Sequence, residues 1–334
     1  MMHGTAYPAI LATENVAALA IHETERAGAY EYASLSAATL RAYAEDWADF
    51  QAWTIRRGLA SLPAAPETVG RYLADLADQG RAVATLRRRT AAIARAHNAR
   101  GLADPCRSAH VRQVLSGIAR RLGVAQKKKD ALTLNRLQVI LFELDDSLQD
   151  TRDRALILLG FAGAFRRSEL AALDVEDLRW ETRGIIITLR RSKTDQEGKG
   201  REVGIPVLDV AELCPVRALR AWLDASSIAN GPLFRTFGLP RGRAPQALTP
   251  DRIDPRDVAR VLQRAVARAG VAGDFAAHSL RAGFITAAAG AHVSEIDIAR
   301  VSGHKSADVL RGYVRHATIL EAPPLSVMIT RETA

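Results

Sequence analysis

Arg166 and Glu169 in FRRSEL, Lys193 in RRSKTDQ, His278 and Arg281 in HSLRAGF, His304 in SGHKS and Tyr313 in RGYVRH have the types and spacing for acid–base and nucleophilic work on an anion. Arg166 and Arg281 are permanently charged forks that match the oxygens of a phosphate bidentately. His278 and Arg281 lie one helical turn apart at a helix start, where backbone N–H groups and the dipole already favour anions. A phenol ionises near pH about 10, so Tyr313 can attack at neutral pH only with help from a positive field or a neighbouring base. His278 fits the base, and His304 could add a hydrogen bond. Taken singly, each residue has a plainer reading. Arg166 and Glu169, three apart, would share a helix face as a surface ion pair. Lys193 would be one more hydrated turn lysine, His278 a capped core histidine, and Tyr313 a core residue on the face of Val309 and Leu310.

These groups must be positioned mostly by helices. Apolar residues recur at helical spacing through the first 125 residues, as in Leu40, Tyr43, Trp47 and Phe50, then Val69, Tyr72, Leu73 and Leu76. Thr85 can cap a helix whose buried line is Leu86, Ile93 and His97, leaving Arg87, Arg88 and Arg95 on other faces. A further helix from Val111 to Leu122 carries Arg112, Arg120 and Arg121, after a break at Asp104 and Pro105. Beyond the middle, helices are expected at Leu134 to Leu144, Thr151 to Phe165 and Arg166 to Ala172. The period then changes. GIIITL, Gly184 to Leu189, and Glu202 to Val207 flank the polar turn Asp195 to Gly200, which predicts a small hairpin. Helices resume at Val216 to Asp224, Pro255 to Ala269, Ser279 to Gly290, Ile296 to Val301 and Ala307 to Arg315, the last capped by Ser306.

Charge is unevenly spread. Residues 1–80 carry 5 Lys plus Arg against 10 Asp plus Glu, whereas residues 81–130 carry 13 against 2, a net of +11 that exceeds the +9 of the whole chain. One-signed crowding of this degree repels itself unless a polyanion neutralises it. DNA or RNA is the expected partner, and an arginine-lined helix could enter the major groove of double-stranded DNA, with Arg87, Arg88, Arg95, Arg112, Arg120, Arg121, Lys127, Lys128 and Lys129 as candidate contacts. The stretch GVAQKKKD, from Gly123, divides the chain either as a solvated linker or as a segment lying along phosphates. The longest apolar run, Ala155 to Phe165, is too short to span a bilayer, and the N-terminus lacks a basic flank before an apolar core. No membrane partner is expected. Cys106 and Cys214 have no partner at disulfide or metal spacing and read as small core residues.

In order, Arg, Lys, His-x-x-Arg, Gly-His and a Tyr nine residues after that histidine make an arrangement that resembles the tyrosine recombinases, or phage integrase family. The resemblance covers about Ala131 to His316 and extends more weakly to the basic helical half. It implies a mainly α fold: a helical, SAM-like core-binding bundle at 31–125, a basic linker at 126–131, and a mostly α catalytic domain at 132–316 with a small antiparallel sheet. Residues 1–30, short and acidic, would be an N-terminal extension and not an arm-binding domain, which suggests the simple Cre/Xer-like type. The resemblance further implies a site-specific recombinase that cuts and rejoins DNA through a 3′-phosphotyrosyl link to Tyr313, with no metal or other cofactor, as a homotetramer passing through a Holliday junction. Lys193 would protonate the leaving 5′ oxygen and Glu169 would orient its neighbours. Residues 317–334, with Ile319, Leu320, Leu325, Val327 and Ile329 around Pro323 and Pro324, would dock on a neighbouring subunit. A cytoplasmic, nucleoid-associated location follows from such a role. A type IB topoisomerase and a non-catalytic DNA-binding protein are the alternatives.

Overall fold

The computed structural model describes residues 35–123, 129–190, 200–238, 246–304 and 310–313, and the chain divides into two compact units at 127/128, inside the lysine-rich stretch. Lys127, Lys128, Lys193, Ser306, the extension 1–30, the turn 195–199 and the tail 317–334 lie outside the described residues. The architecture is mainly helical, with two small antiparallel sheets.

The first unit contains helices α1 (Ala37–Ile55), α2 (Pro66–Asp78), α3 (Val83–Asn98) and α4 (Ala109–Leu122). The Ser36 hydroxyl accepts from Thr39 N–H at 3.2 Å and Ser108 from Val111 N–H at 3.2 Å, so both helices begin where an otherwise orphaned donor is satisfied. Phe50, Trp53, Tyr72, Leu73, Leu86, Ile93 and Val111 close the core. Leu86, Ile93 and His97 form the predicted inward line of α3. Thr85, by contrast, is not its cap. The helix starts two residues earlier, behind Ala82, which offers no side-chain oxygen.

Acidic residues of α1 take up part of the basic charge. Asp46, only 3% exposed, accepts from Arg88 Nε at 2.7 Å and Nη2 at 3.0 Å, and Asp49 accepts from Tyr72 Oη at 2.6 Å and from Arg89. Burial and the nearby Asp46 carboxylate push the Tyr72 phenol pKa up, which keeps it a donor. Arg88 is therefore held by a buried carboxylate on one side, while its side chain stays 49% exposed. Arg87, Arg112, Arg120 and Arg121 stay exposed, with Arg95 half-buried.

The second unit is built around α6 (Leu148–Ala162), which follows α5 (Leu134–Phe142). Ser147 caps α6, accepting from Asp150 N–H at 3.2 Å, so it starts earlier than its apolar run suggests. Residues 155–161 are buried all round, which makes it the central helix. It ends before Phe165 because Ala164 turns left-handed, at φ +47°. After α7 (Arg167–Ala172) come β1 (Leu178–Glu181), β2 (Gly184–Leu189) and β3 (Arg201–Pro206), antiparallel in that order. The predicted hairpin is thus two strands of a three-stranded sheet. Helix α8 (Pro215–Ser226), the pair β4 (Arg235–Phe237) and β5 (Leu248–Arg252), and helices α9 (Pro255–Arg268), α10 (Ala277–Gly290) and α11 (Glu295–Ser302) complete it, with residues 310–313 helical.

Lys129 pairs with Asp274 at 2.5 Å, and Asp130 and Asp274 exchange two further bonds at 2.7 and 3.0 Å. The expected linker is therefore tied into the second unit from Lys129 onward, and Lys129 has an acidic partner of its own. Leu132 N–H then donates to Ser279 O at 3.1 Å, and a Cβ on Gly283 would meet the Leu132 carbonyl at 2.1 Å. This close approach seats the first turn of α10.

Two stability predictions follow from these contacts. Arg88→Ala leaves the buried Asp46 carboxylate short of its two best donors, at a cost of about 1–3 kcal/mol. Urea unfolding of the first unit would show it, and an unchanged midpoint would mean that Asp46 finds other donors. Gly283→Ala should cost the second unit about 1–3 kcal/mol by overpacking, read as a lower urea midpoint at unchanged slope. A wild-type midpoint would show that the Leu132 backbone can give way.

Candidate active site

Five segments of the second unit bring their polar groups together. Arg166 stands at the head of α7, where its N–H donates to Glu169 Oε2 at 2.9 Å and its Nη1 to Oε1 at 2.6 Å. Glu169 is 2% exposed and Arg166 partly so, which makes a part-buried pair and not the surface ion pair that the spacing alone suggests. Arg167 is exposed on α7, which separates the two adjacent arginines.

His278 and Arg281 occupy the first turn of α10, steadied by the Ser279 hydroxyl, which accepts from Ala276 N–H at 3.0 Å. Arg281 is 1% exposed. Its Nη1 donates to the carbonyl of the left-handed Ala164 at 2.7 Å, and its Nη2 lies 3.1–3.2 Å from both ring nitrogens of His304. Among the described residues it has no salt bridge to a carboxylate. Burial first, and then Arg166, draw its pKa down to about 10, with Glu169 opposing; it remains a cation.

Leu310 packs beside Ile285, Ala289 and Ile298 and holds the helical turn bearing Tyr313. Tyr313 is half-buried, as its apolar face predicts, but its hydroxyl points outward to His278 Nε2 at 2.9 Å. Burial raises the phenol pKa and Arg281 only partly counters it, so the positive field does not by itself ionise this tyrosine. His278 keeps access to solvent, yet desolvation of its ring, then Arg281 and Arg166, lower its pKa. His304 is lowered to about 4, chiefly by burial and then by Arg281, and its Nδ1 is 2.8 Å from Ser302 Oγ. Both imidazoles are thus neutral at pH 7.

The structure brings together Arg166, Glu169, His278, Arg281, His304 and Tyr313. Lys193 lies outside the described residues; β2 and β3 form the stem on either side of it. Arg201, which the sequence reading missed, joins the site from β3, with Nη2 3.5 Å from Glu169 Oε2. Its legible signal is strand alternation: Arg201 shares the inward register of the buried Val203 and Ile205. Ala164 and Ser302 were missed as well, since they act through a carbonyl and a hydroxyl that no motif marks. Chemically, the cluster is a set of arginines with one internal carboxylate, beside a phenol hydrogen-bonded to a neutral base. Among the described residues no helix is long and apolar enough to cross a membrane, and no group of three His, Cys, Asp or Glu is placed to hold a metal ion.

Comparison with known proteins identifies the family. Residues 130–318 match the model of the phage integrase family. The chain is 40% identical over 299 residues to an integrase/recombinase xerD homolog of Selenomonas ruminantium, covering 88% of this chain and 86% of that one. It is 26% identical over 282 residues to the recombinase cre of Escherichia phage P1, covering 79% and 80%. Among solved structures, lambda integrase residues 75–356 bound to DNA superimposes with a TM-score of 0.58 at 18% identity, covering 85% of this chain and 91% of that one. The XerH site-specific recombinase in a post-cleavage complex with difH gives 0.55 at 19%, covering 81% and 73%. With the family model spanning over half of it and a relative 40% identical along most of its length, the chain belongs to the phage integrase family.

Proposed function

We propose that the protein is a site-specific DNA recombinase whose Tyr313 attacks a backbone phosphodiester. The carrying observation is Arg281: a buried guanidinium with no carboxylate salt bridge among the described residues, adjoining a phenol 2.9 Å from a neutral histidine. Such a cation calls for an anion from outside, and a phosphate lodged between Arg281 and Arg166 would have its developing charge stabilised where it grows. Tyr313 Oη forms the new bond to phosphorus while its proton passes to His278 Nε2. The bond from phosphorus to the 5′ oxygen breaks, and that oxygen takes up a proton, a role the family resemblance gives to Lys193. One phosphodiester replaces another, so a free 5′ hydroxyl can reverse the step without energy input. When that hydroxyl belongs to a second duplex, the strands are exchanged.

Relatives support the wider setting. Lambda integrase has been solved as a tetramer bound to a Holliday junction, and XerH bound to its difH substrate. By analogy this chain acts as a homotetramer on a DNA recombination site, with residues 317–334 docking on a neighbour. Integration of a mobile element, resolution of cointegrates and separation of chromosome dimers all use this chemistry, in the cytoplasm at the nucleoid. The exposed Arg87, Arg88, Arg112, Arg120 and Arg121, with the half-buried Arg95, would hold the duplex backbone, together with Lys127 to Lys129.

The test is incubation with a library of nicked duplexes, comparing the native protein with Tyr313→Phe and sequencing the DNA that becomes covalently attached. Specific recovery by the native protein alone is expected; equal recovery by both would remove Tyr313 as nucleophile. Relaxation of any supercoiled plasmid without strand exchange would mark a topoisomerase instead. The second-order rate of adduct formation reports the free protein's ionisations. His278 must be neutral to accept the proton and its pKa is lowered, so the rate should be flat near pH 7 and fall on acidification through a midpoint below about 6.5. A rate climbing about tenfold per pH unit from 6 to 9 would instead identify free tyrosinate as the attacker.

A further inference from the structure

Arg201 opens β3 with its guanidinium turned inward. Nη1 donates to the Val301 carbonyl, in the last turn of α11, and Nη2 approaches Glu169 Oε2 at 3.5 Å. The carbonyls of a helix end lack intrahelical donors and carry the negative end of the dipole, so a cation there is favoured. Gly303 follows, left-handed at φ +66°, and a Cβ on it would come within 3.0 Å of Arg201 Nε and 3.1 Å of Cζ. The guanidinium thus lies flat against the backbone that presents His304. Glu169 holds Arg166 with the same carboxylate, through Oε1 and Oε2. One side chain on the return strand of the Lys193 hairpin consequently joins three parts of the site: the hairpin, the Arg166–Glu169 pair and the turn carrying His304.

We propose that Arg201 is a positioning residue for strand cleavage, a guanidinium that clamps Glu169 to the end of α11 and fixes the Gly303–His304 turn and the hairpin stem in one register. The inference rests on the strand-transfer reading given above. Arg201 does not touch the reacting atoms. It sets where Arg166 and His304 stand when a phosphate arrives, and a displacement of about 1 Å in such groups costs on the order of 100-fold in rate. Its burial lowers its pKa while Glu169 raises it, and a guanidinium stays charged throughout. Lysine could reach one acceptor but not hold both in a plane.

The experiment measures single-turnover covalent adduct formation on the nicked-duplex library, together with duplex affinity and thermal melting, for native protein, Arg201→Gln, Arg201→Lys and Tyr313→Phe. Arg201→Gln is expected to slow adduct formation about 10- to 100-fold with affinity within about twofold, and Arg201→Lys to recover part of that loss. In combination with Glu169→Gln the losses should be less than multiplicative, since both changes open the same clamp. Wild-type adduct rates in Arg201→Gln would overturn the proposal, as would equal losses of rate and affinity. Should the glutamine variant melt below the assay temperature, the lysine variant decides: slowed adduct formation at native melting supports the clamp, and an unchanged rate ends it. Absence of adduct with native protein would overturn the strand-transfer reading itself, and the clamp with it.

Discussion

A guanidinium withdrawn from water needs an anion, and the second unit leaves Arg281 without a carboxylate salt bridge among the described residues. Its ligands are a carbonyl and the edge of an imidazole, both weak recompense for lost hydration. Glu169, the acidic group that could have quenched it, is occupied by Arg166 and Arg201. The site therefore holds more positive charge than its one internal carboxylate can offset. That excess also reinforces the neutrality of both histidines, whose pKa values are lowered first by burial and then by Arg281 and Arg166.

Holding such a charge falls to ordinary packing. The apolar turn of α6 runs through the middle of the unit and ends at Ala164, whose left-handed backbone aims a carbonyl into the site. Gly283 lets the segment before α5 press on α10 closely enough to fix its first turn. Leu310 anchors Tyr313 in a small apolar cluster, so the hydroxyl is presented by a side chain whose ring is partly buried. Rigid apolar contacts thus orient groups whose mutual repulsion would otherwise spread them apart.

Much of this was legible beforehand, and the limits are physical. Helices such as α3 and α10 announce themselves by inward lines of apolar residues, and the reacting groups by their order along the chain. β1 escaped because LRWE is short and mostly exposed, leaving no alternation to read. The pairing of Arg88 with Asp46 was not legible because the two lie forty-two residues apart on different helices, and one-dimensional charge counts ignore such partners. Arg201 was missed for the same reason: its acceptors are a distant carbonyl and a carboxylate already assigned to Arg166. Thr85 failed as a cap because Val83 and Ala84 extend the helix without help from a side-chain oxygen.

The FAGAF segment carries a lesson for anyone seeking to retarget the enzyme. At Gly163 an added Cβ would press into the Phe165 ring at 2.3 Å, Ala164 has a backbone conformation few side chains tolerate, and Phe165 is itself 1% exposed. Each of the three adjacent positions thus carries its own steric demand, and the demands meet in one place, since the ring that limits Gly163 is that of the buried Phe165. A library that varies this stretch should change the three positions together and not one at a time.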